Sequence, residues 1–189
     1  MTRIIGGSAG GRRLQTPKGD ATRPTTARVR EALFSRLESL LDLTDARVLD
    51  LYAGSGALGL EAASRGAAHV LCVESDKTTA ALISRNATSV GLAMVSVRTD
   101  CVERALQRGP DTSPYDLVVA DPPYWVDEDA IAEMLAALMT HQWLSRQAVV
   151  VLERSARSPH PRWPAGLEAI RSKKYGETML HDAEHVPRP

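Results

Sequence analysis

The feature that most constrains the fold is a regular alternation of short apolar segments and helical segments from residue 47 onward. The apolar segments lie at residues 47–51, 69–74, 95–98, 117–120 and 149–152. Helical patterns lie between them at residues 59–64, 77–90, 102–107 and 129–139. Strands that alternate with helices are typical of a parallel sheet, because a parallel connection needs a long crossover. The sequence therefore predicts an α/β, Rossmann-like fold, and two further apolar runs at 167–170 and 178–180 predict two more strands.

The first part of the chain differs from this pattern. Residues 1–22 are rich in Gly, Arg and Thr and show no core-forming periodicity, which suits a hairpin or a flexible arm. Behind a capping threonine, Val29, Leu33 and Leu37 then recur at helical spacing. At 189 residues the chain is long enough for one substantial core. We therefore expect a short N-terminal extension over residues 1–22 and a single domain over residues 23–189.

The charges are unevenly placed. The formal net charge is zero, yet eight Arg and Lys side chains between residues 3 and 36 stand against only Asp20 and Glu31. Such a cluster is typical of a phosphate-binding patch. The other interpretation is a solvated helix face, which is the commoner position of surface arginines.

A glycine turn follows the first strand of the alternating region, in the sequence DLYAGSGALG at residues 50–59. Glycines allow a positive φ and a close approach to a ligand, and the amides of the next helix can donate hydrogen bonds. The same G-x-G-x-x-G pattern suits a dinucleotide, and Glu74 has the spacing of the ribose-binding acid of that site. The glycines alone do not identify the cofactor.

Asp50 favours S-adenosylmethionine over a dinucleotide, because a carboxylate at this strand tip suits the methionine part and would repel a pyrophosphate. Glu74 is placed to accept hydrogen bonds from two ribose hydroxyls, and Asp100 from the adenine amino group. Either acid could instead cap a helix. The candidate cofactor-binding residues are Asp50, Tyr52, Ala53, Gly54, Ser55, Gly56, Glu74, Asp100 and Cys101.

The most specific stretch is the DPPY segment, Asp121, Pro122, Pro123 and Tyr124, at the end of the fourth strand. It matches the [Asn/Asp]-Pro-Pro-aromatic motif of methyltransferases that modify amino groups of nucleic acids. The lone pair of an exocyclic amine is delocalised into the base, so acceptors such as the Asp121 carboxylate and the Pro122 carbonyl are needed to orient it. Tyr124 can stack on a base swung out of its helix. The competing interpretation is that the prolines end an edge strand and Tyr124 packs in the core.

Other features point to an ordinary intracellular protein. No apolar run approaches the roughly 20 residues of a membrane span, and the N-terminus lacks the apolar core of a secretory signal. Cys72 and Cys101 lack zinc-site spacing, so no metal is expected. We expect a cytoplasmic location and no membrane contact. Packing is the expected role of His69, Trp125, Trp143 and Trp163.

Taken together, these motifs resemble the RsmD family, the bacterial 16S ribosomal RNA guanine-N2 methyltransferases. The matching segments are RIIGG at 3–7, GR at 11–12, RPTT at 23–26, VREALF at 29–34, LDLYAGSG at 49–56, DPPY at 121–124 and YGET at 175–178. The family usually has phenylalanine where Tyr52 stands, which is a mild change.

The resemblance implies a seven-stranded, mostly parallel class I methyltransferase sheet with helices on both faces. It also implies methylation of the N2 amino group of one guanosine in 16S rRNA, with S-adenosylhomocysteine as the product. The expected substrate is the small ribosomal subunit or a late assembly intermediate, and a monomeric enzyme is expected. The candidate RNA-binding residues are Arg3, Arg12, Arg13, Arg23, Thr25, Arg28 and Arg30.

Parts of the sequence also suit three other functions. An adenine-N6 methyltransferase acting on DNA or RNA is the main alternative, since the DPPY segment serves adenine and guanine amines alike. An NAD-dependent oxidoreductase is disfavoured by Asp50 and by the DPPY segment. An RNA-binding adaptor without a cofactor would have no reason to keep both the glycine turn and the DPPY segment.

Overall fold

A computed structural model describes residues 2–17 and 26–187 of the chain. Strands β1 (Thr2–Arg3) and β2 (Arg13–Leu14) pair as a small antiparallel sheet. The main sheet contains β3 (Arg47–Leu51), β4 (His69–Glu74), β5 (Val95–Thr99), β6 (Tyr115–Ala120), β7 (Leu144–Ser155), β8 (Leu167–Tyr175) and β9 (Thr178–His185). The helices are α1 (Ala27–Leu37), α2 (Ala57–Ser64), α3 (Lys77–Val90), α4 (Val102–Gln107) and α5 (Glu128–Thr140).

The main sheet has the strand order β5-β4-β3-β6-β7-β9-β8. The first five strands in this order pair in parallel, whereas β9 pairs antiparallel with both β7 and β8. Strands β8 and β9 are antiparallel because they are joined by a tight turn at Gly176, whose φ is +62°. The predicted seven-stranded, mostly parallel sheet is confirmed.

Helices cover both faces of the sheet, as predicted. Successive residues of a strand point to opposite faces, so Val48 contributes to one buried cluster and Leu49 to the other. The first cluster includes apolar residues of α1, α2 and α3, and the second includes those of α4 and α5. Because β3 pairs in parallel with both β4 and β6, the carboxyl ends of these three strands lie at the same end of the sheet.

The N-terminal hairpin, residues 2–17, packs on helix α2. Ile4 and Leu14 are buried within the first cluster. The amides of Ile5 and Gly6 donate to the two carboxylate oxygens of the buried Glu61, at 2.7 and 2.9 Å. Buried acceptors paired with backbone donors fix the position of a segment. The described part of the extension is therefore an integral layer of the fold.

Gly7 makes this close packing possible. Its φ is +76°, and a Cβ atom there would lie 1.9 Å from the carbonyl oxygen of Ser64. The amide of Ser8 donates to that same carbonyl at 2.7 Å, and the Ser64 hydroxyl donates to the carbonyl of Gly6 at 2.6 Å. Any larger residue at position 7 would separate the hairpin from α2.

Candidate active site

The glycine turn and the DPPY segment begin side by side. Leu51 at the end of β3 pairs with Ala120 at the end of β6, so the next residues, Tyr52 and Asp121, leave the sheet next to each other. The amide of Asp121 donates to the carbonyl of Leu51 at 3.4 Å. Here the chain crosses from one half of the sheet to the other, which is where open α/β sheets bind their ligands.

The glycine turn has an unusual backbone. Tyr52, Gly54 and Gly56 all have positive φ, of 58°, 55° and 77°. A non-glycine residue held at positive φ is strained, and such residues cluster at ligand sites. A Cβ atom at Gly56 would lie 2.8 Å from a methyl group of Ile83, so glycine is required there. No side chain caps α2 at Gly56, which leaves that end of the helix suited to a ligand acceptor.

Asp50 lies beneath this turn and supports it. Its side chain is buried, and its Oδ2 accepts a 2.8 Å hydrogen bond from the amide of Gly59. Burial raises the pKa of Asp50 to about 7, although the Gly59 hydrogen bond acts in the opposite direction and the nearby Glu74 charge adds to the increase. The carboxylate expected to hold the cofactor's methionine part thus also anchors the first turn of α2.

Glu74 closes the turn from the end of β4. Its Oε2 accepts a 2.9 Å hydrogen bond from the amide of Gly54, and its Oε1 accepts one of 2.8 Å from the amide of Asp76. Each carboxylate oxygen has a second lone pair for a ligand hydroxyl. Asp76 in turn caps α3 by accepting from the amide of Thr79 at 2.7 Å. The Glu74 carboxylate is therefore fixed beside the glycine turn. It lies at the crevice where the carboxyl ends of β3, β4 and β6 meet.

Asp100 follows β5 and is mostly buried, with 6% of its surface exposed. Its Oδ1 accepts from the Nε of Arg104 and the amide of Cys101, and its Oδ2 lies 3.5 Å from Arg108. The hydrogen bond from Arg104 lowers the pKa of Asp100, so it stays ionised. These contacts hold the Asp100 carboxylate against the start of α4. Its role as an acceptor for the adenine amino group stays a prediction.

The DPPY segment leaves β6 as a stiff, turned loop. Pro122 is buried, and the amide of Val126 donates to the carbonyl of Pro123 at 3.0 Å. Tyr124 is 88% exposed. The alternative expectation that Tyr124 packs in the core is therefore wrong, since its ring faces outward beside the crevice.

Sequence reasoning missed Arg154, which holds the loop after the DPPY segment. Its guanidinium is 6% exposed and donates to the carbonyl of Val126 at 3.0 Å and to Glu128 at 2.5 Å. The available signal was an arginine that follows the apolar run at 148–152 within β7, but its partners lie 26 and 28 residues away. We infer that Arg154 positions this loop.

The hydroxyl of Tyr52 also has a notable environment. It is buried and has no hydrogen-bond partner among the residues that the structure describes. Burial is the main cause of the raised pKa of this phenol, with a further contribution from the charge of Glu103. A buried donor of this kind is usually satisfied by a water molecule or a ligand.

The predicted RNA-binding residues divide into two groups. Arg3, Arg12, Arg13 and Arg28 are exposed. Arg30 is 1% exposed, donates to the carbonyl of Arg3 at 2.6 Å, and lies 3.8 Å from the buried Glu61. The expectation that Arg30 contacts RNA is therefore wrong, because its guanidinium joins the hairpin to α1 and α2. Arg23 and Thr25 lie outside the described residues.

The tryptophans and His69 also differ in exposure. Trp143 is buried and donates to the carbonyl of Leu106 at 2.8 Å, which agrees with a packing role. His69 packs against Tyr115, with ring centroids 6.0 Å apart, and Trp163 is partly buried. Trp125 differs, since 63% of its side chain is exposed next to Tyr124.

Comparison with known proteins identifies the family. The model described as Conserved hypothetical protein 95 matches residues 2–183. Ribosomal RNA small subunit methyltransferase D of Escherichia coli is 36% identical over 177 residues, covering 93% of this chain and 85% of that protein. The chain belongs to the RsmD family.

Solved structures agree with this assignment to the RsmD family. The Escherichia coli protein yhhF superposes with a TM-score of 0.86 at 32% identity, over 98% of each chain. An RNA methyltransferase from Salinibacter ruber, determined with S-adenosyl-L-homocysteine, has a TM-score of 0.65 at 18% identity over 88% of this chain and 95% of its own. The second comparison supports the class I methyltransferase fold alone.

As a member of the RsmD family, this protein is an S-adenosylmethionine-dependent methyltransferase. The residues present fit that cofactor. Glu74 and Asp100 supply carboxylate oxygens, no side chain caps α2 at Gly56, and the buried Tyr52 hydroxyl has no partner within the described part of the chain. Among residues 2–17 and 26–187, no group of three His, Cys, Asp or Glu side chains is arranged to hold a metal ion. Within the same ranges, no helix has the length and apolar character needed to cross a bilayer.

Proposed function

We propose that this protein transfers a methyl group from S-adenosylmethionine to the N2 amino group of a guanosine in 16S rRNA. The observation that carries the proposal is the pairing of Leu51 with Ala120, which brings the cofactor turn and the DPPY segment to one crevice. Tyr124 projects from that crevice into solvent, where a macromolecular substrate can reach it.

The chain's own residues perform the orienting steps. The Asp121 carboxylate and the Pro122 carbonyl accept hydrogen bonds from the two N–H groups of the target amine. These bonds turn the amine out of conjugation with the base and aim its lone pair toward the methyl group. S-adenosylmethionine, when bound, supplies an electrophilic methyl group on a sulfonium. The methylated amine is then cationic and can release its extra proton after the transfer, so a strong general base is unnecessary. Catalysis then rests mainly on positioning and on exclusion of water.

Tyr124 provides the contact for the base. A base flipped out of its stack loses its neighbours, and an aromatic ring restores roughly 1–3 kcal/mol of stacking. Pro122 and Pro123 restrict the backbone that carries the ring. Stacking of this kind tolerates any base, so hydrogen bonds to the base edge must select guanine.

The rRNA substrate is supported by the names of the relatives and by surface charge. The Escherichia coli relative is called a ribosomal RNA small subunit methyltransferase. Arg3, Arg12, Arg13 and Arg28 give this chain an exposed basic group that suits phosphate contacts. We further propose that the enzyme acts as a monomer on the small ribosomal subunit or on a late assembly intermediate.

The proposal is tested by identifying the product. Small ribosomal subunits from a strain that lacks the modification are incubated with the purified protein and methyl-labelled S-adenosylmethionine, and the RNA is digested to nucleosides. We expect the label in N2-methylguanosine. Label in N6-methyladenosine would replace this proposal with an adenine-N6 activity. Naked 16S rRNA, tested in parallel, shows whether the particle is required.

A further inference from the structure

Two exposed aromatic side chains adjoin the crevice. Tyr124 is 88% exposed and Trp125 is 63% exposed. The other large apolar side chains exposed in the described residues, Ile170 and Val186, are each only 38% exposed. Single exposed apolar residues are normal, whereas an adjacent aromatic pair beside a site is a feature of interaction surfaces.

The backbone that carries Trp125 is held on both sides. Before it, the two prolines restrict the chain, and the Val126 amide closes a turn on the carbonyl of Pro123. After it, the buried Arg154 binds the carbonyl of Val126 and the carboxylate of Glu128. The indole is thus presented by a fixed loop.

The two rings do not form one platform. Their centroids lie 5.2 Å apart and their planes meet at 83°. A single planar base can therefore stack on one ring only. The perpendicular arrangement suits two bases with very different orientations, such as a base rotated out of a strand and a neighbour that is not.

The surrounding charges favour a base over a phosphate at Trp125. The carboxylate of Asp127, two residues after Trp125, would repel a phosphate group. Asp127 caps α5 by accepting from the amide of Ala130, while Glu128 and Asp129 pair with arginines. An uncharged nucleobase can approach this region without that repulsion.

We propose that Trp125 stacks on a nucleobase adjacent to the target nucleotide and so helps to hold the strand from which the target is displaced. The inference rests on the proposed function and extends it, because Tyr124 serves the target base and Trp125 serves its neighbour. Removal of a base-stacking aromatic side chain corresponds to about 5- to 150-fold in affinity. The effect should therefore appear in substrate binding.

Kinetics with unmodified small subunits provide the first test. Trp125→Ala should raise KM for the particle about tenfold and leave kcat within about twofold, and Trp125→Phe should restore most of the loss. Ile170→Ala, an exposed apolar side chain on β8, serves as the matched control and should change neither constant. Calorimetry should give the same S-adenosylmethionine affinity for all four proteins. An unchanged KM in Trp125→Ala would overturn the inference while leaving the proposed function intact.

Fluorescence provides a second test that does not depend on turnover. Trp143 is fully buried and Trp163 is partly buried, so a base that quenches emission should act mainly on Trp125. A synthetic single-stranded RNA nonamer should quench the wild-type protein and Trp163→Phe, and quench Trp125→Phe much less. Equal quenching of Trp125→Phe and the wild type would overturn the inference. A wild-type protein that fails to form N2-methylguanosine, yet shows Trp125-dependent quenching, would instead count against the proposed function.

Discussion

The side-chain amide of Asn86 pairs with the backbone of Gln15 in the manner of a neighbouring strand. Its Oδ1 accepts from the Gln15 amide at 2.9 Å, and its Nδ2 donates to the Gln15 carbonyl at 3.0 Å. The same Nδ2 donates to the carbonyl of Ser55 at 3.2 Å. Asn86 is buried in α3, so one side chain joins the N-terminal hairpin to the glycine turn.

Replacing Asn86 with alanine should destabilise the protein and weaken cofactor binding together. The change leaves backbone groups of Gln15 and Ser55 without a partner, which costs about 1–3 kcal/mol when such groups stay buried. Urea unfolding measures the stability, and calorimetry measures the S-adenosylmethionine affinity. Thr88→Ala, an exposed change on the same helix, is the control and should stay within about 0.5 kcal/mol of the wild type. Equal stability of the two variants would show that the Asn86 contacts contribute little.

Replacing Asp121 with alanine should abolish turnover and leave cofactor affinity unchanged. The substitution removes a proposed acceptor for the target amine, whereas the proposed cofactor contacts lie at the ends of β3, β4 and β5 or directly after these strands. Single-turnover methylation of small subunits measures the first effect, and calorimetry measures the second. Asp121→Asn keeps one acceptor oxygen and should retain partial activity. A fully active Asp121→Ala enzyme would exclude the proposed role of this carboxylate.

Replacing Glu74 with alanine should weaken S-adenosylmethionine and S-adenosylhomocysteine binding. The variant loses the proposed acceptor for the ribose hydroxyls and also the 2.9 Å hydrogen bond that holds Gly54. Calorimetry should show the loss, and NAD should bind neither this variant nor the wild type. Glu168→Ala, an exposed acid on β8, is the control for removal of one negative charge. Tight NAD binding by the wild type would contradict the cofactor assignment.

Local patterns predicted the sheet and both loops of the site, because strand alternation, glycine turns and proline pairs are each encoded within a few residues. The hydrogen bonds that hold these two loops in place could not be predicted from local patterns. Asn86 and Arg154 bind backbone groups between 28 and 71 residues away, and no local sequence pattern predicts contacts over such separations. Only the fold brings these partners together.

The Arg30 prediction failed although a usable signal was present in the sequence. Arg30 precedes Leu33 and Phe34 by three and four positions, a spacing that places all three on the buried face of α1. Arg28, two positions earlier on the same chain, is exposed.

The ionisation of Asp50 should make stability depend on pH in a specific direction. Its pKa is about 7 in the folded protein, above the ordinary value of 3.8, so the folded state binds this proton more tightly. The stabilisation that comes from this tighter proton binding is complete below about pH 4 and is lost as the pH rises through 7. Asp50→Asn cannot ionise and should lack this loss. Between pH 5 and 7 the free energy of unfolding of the wild type should fall relative to the variant, by up to about 1.4 kcal/mol per pH unit. Parallel pH profiles from urea unfolding would show that Asp50 does not titrate in this range.

The exposed arginines of the hairpin should contribute to RNA binding through phosphate contacts. Each contact releases counterions, so the double variant Arg12→Gln/Arg13→Gln should reduce the slope of log affinity against log salt by about one unit per contact, or about two in all. Fluorescence anisotropy with labelled rRNA at several salt concentrations measures the slope.

Two further variants separate phosphate contact from other effects of lost charge. Arg146→Gln removes an exposed charge near the start of β7. This position lies at the amino ends of the parallel strands, whereas the crevice lies at their carboxyl ends, so the salt slope should stay unchanged. Arg30→Gln removes a buried charge beside Glu61 and should lower the free energy of unfolding while the RNA salt slope stays the same. If Arg12→Gln/Arg13→Gln kept the wild-type slope, these arginines would be solvated surface groups, and the RNA would have to bind through other residues. If Arg30→Gln lowered the slope without destabilising the fold, the buried ion pair with Glu61 would have to open when RNA binds.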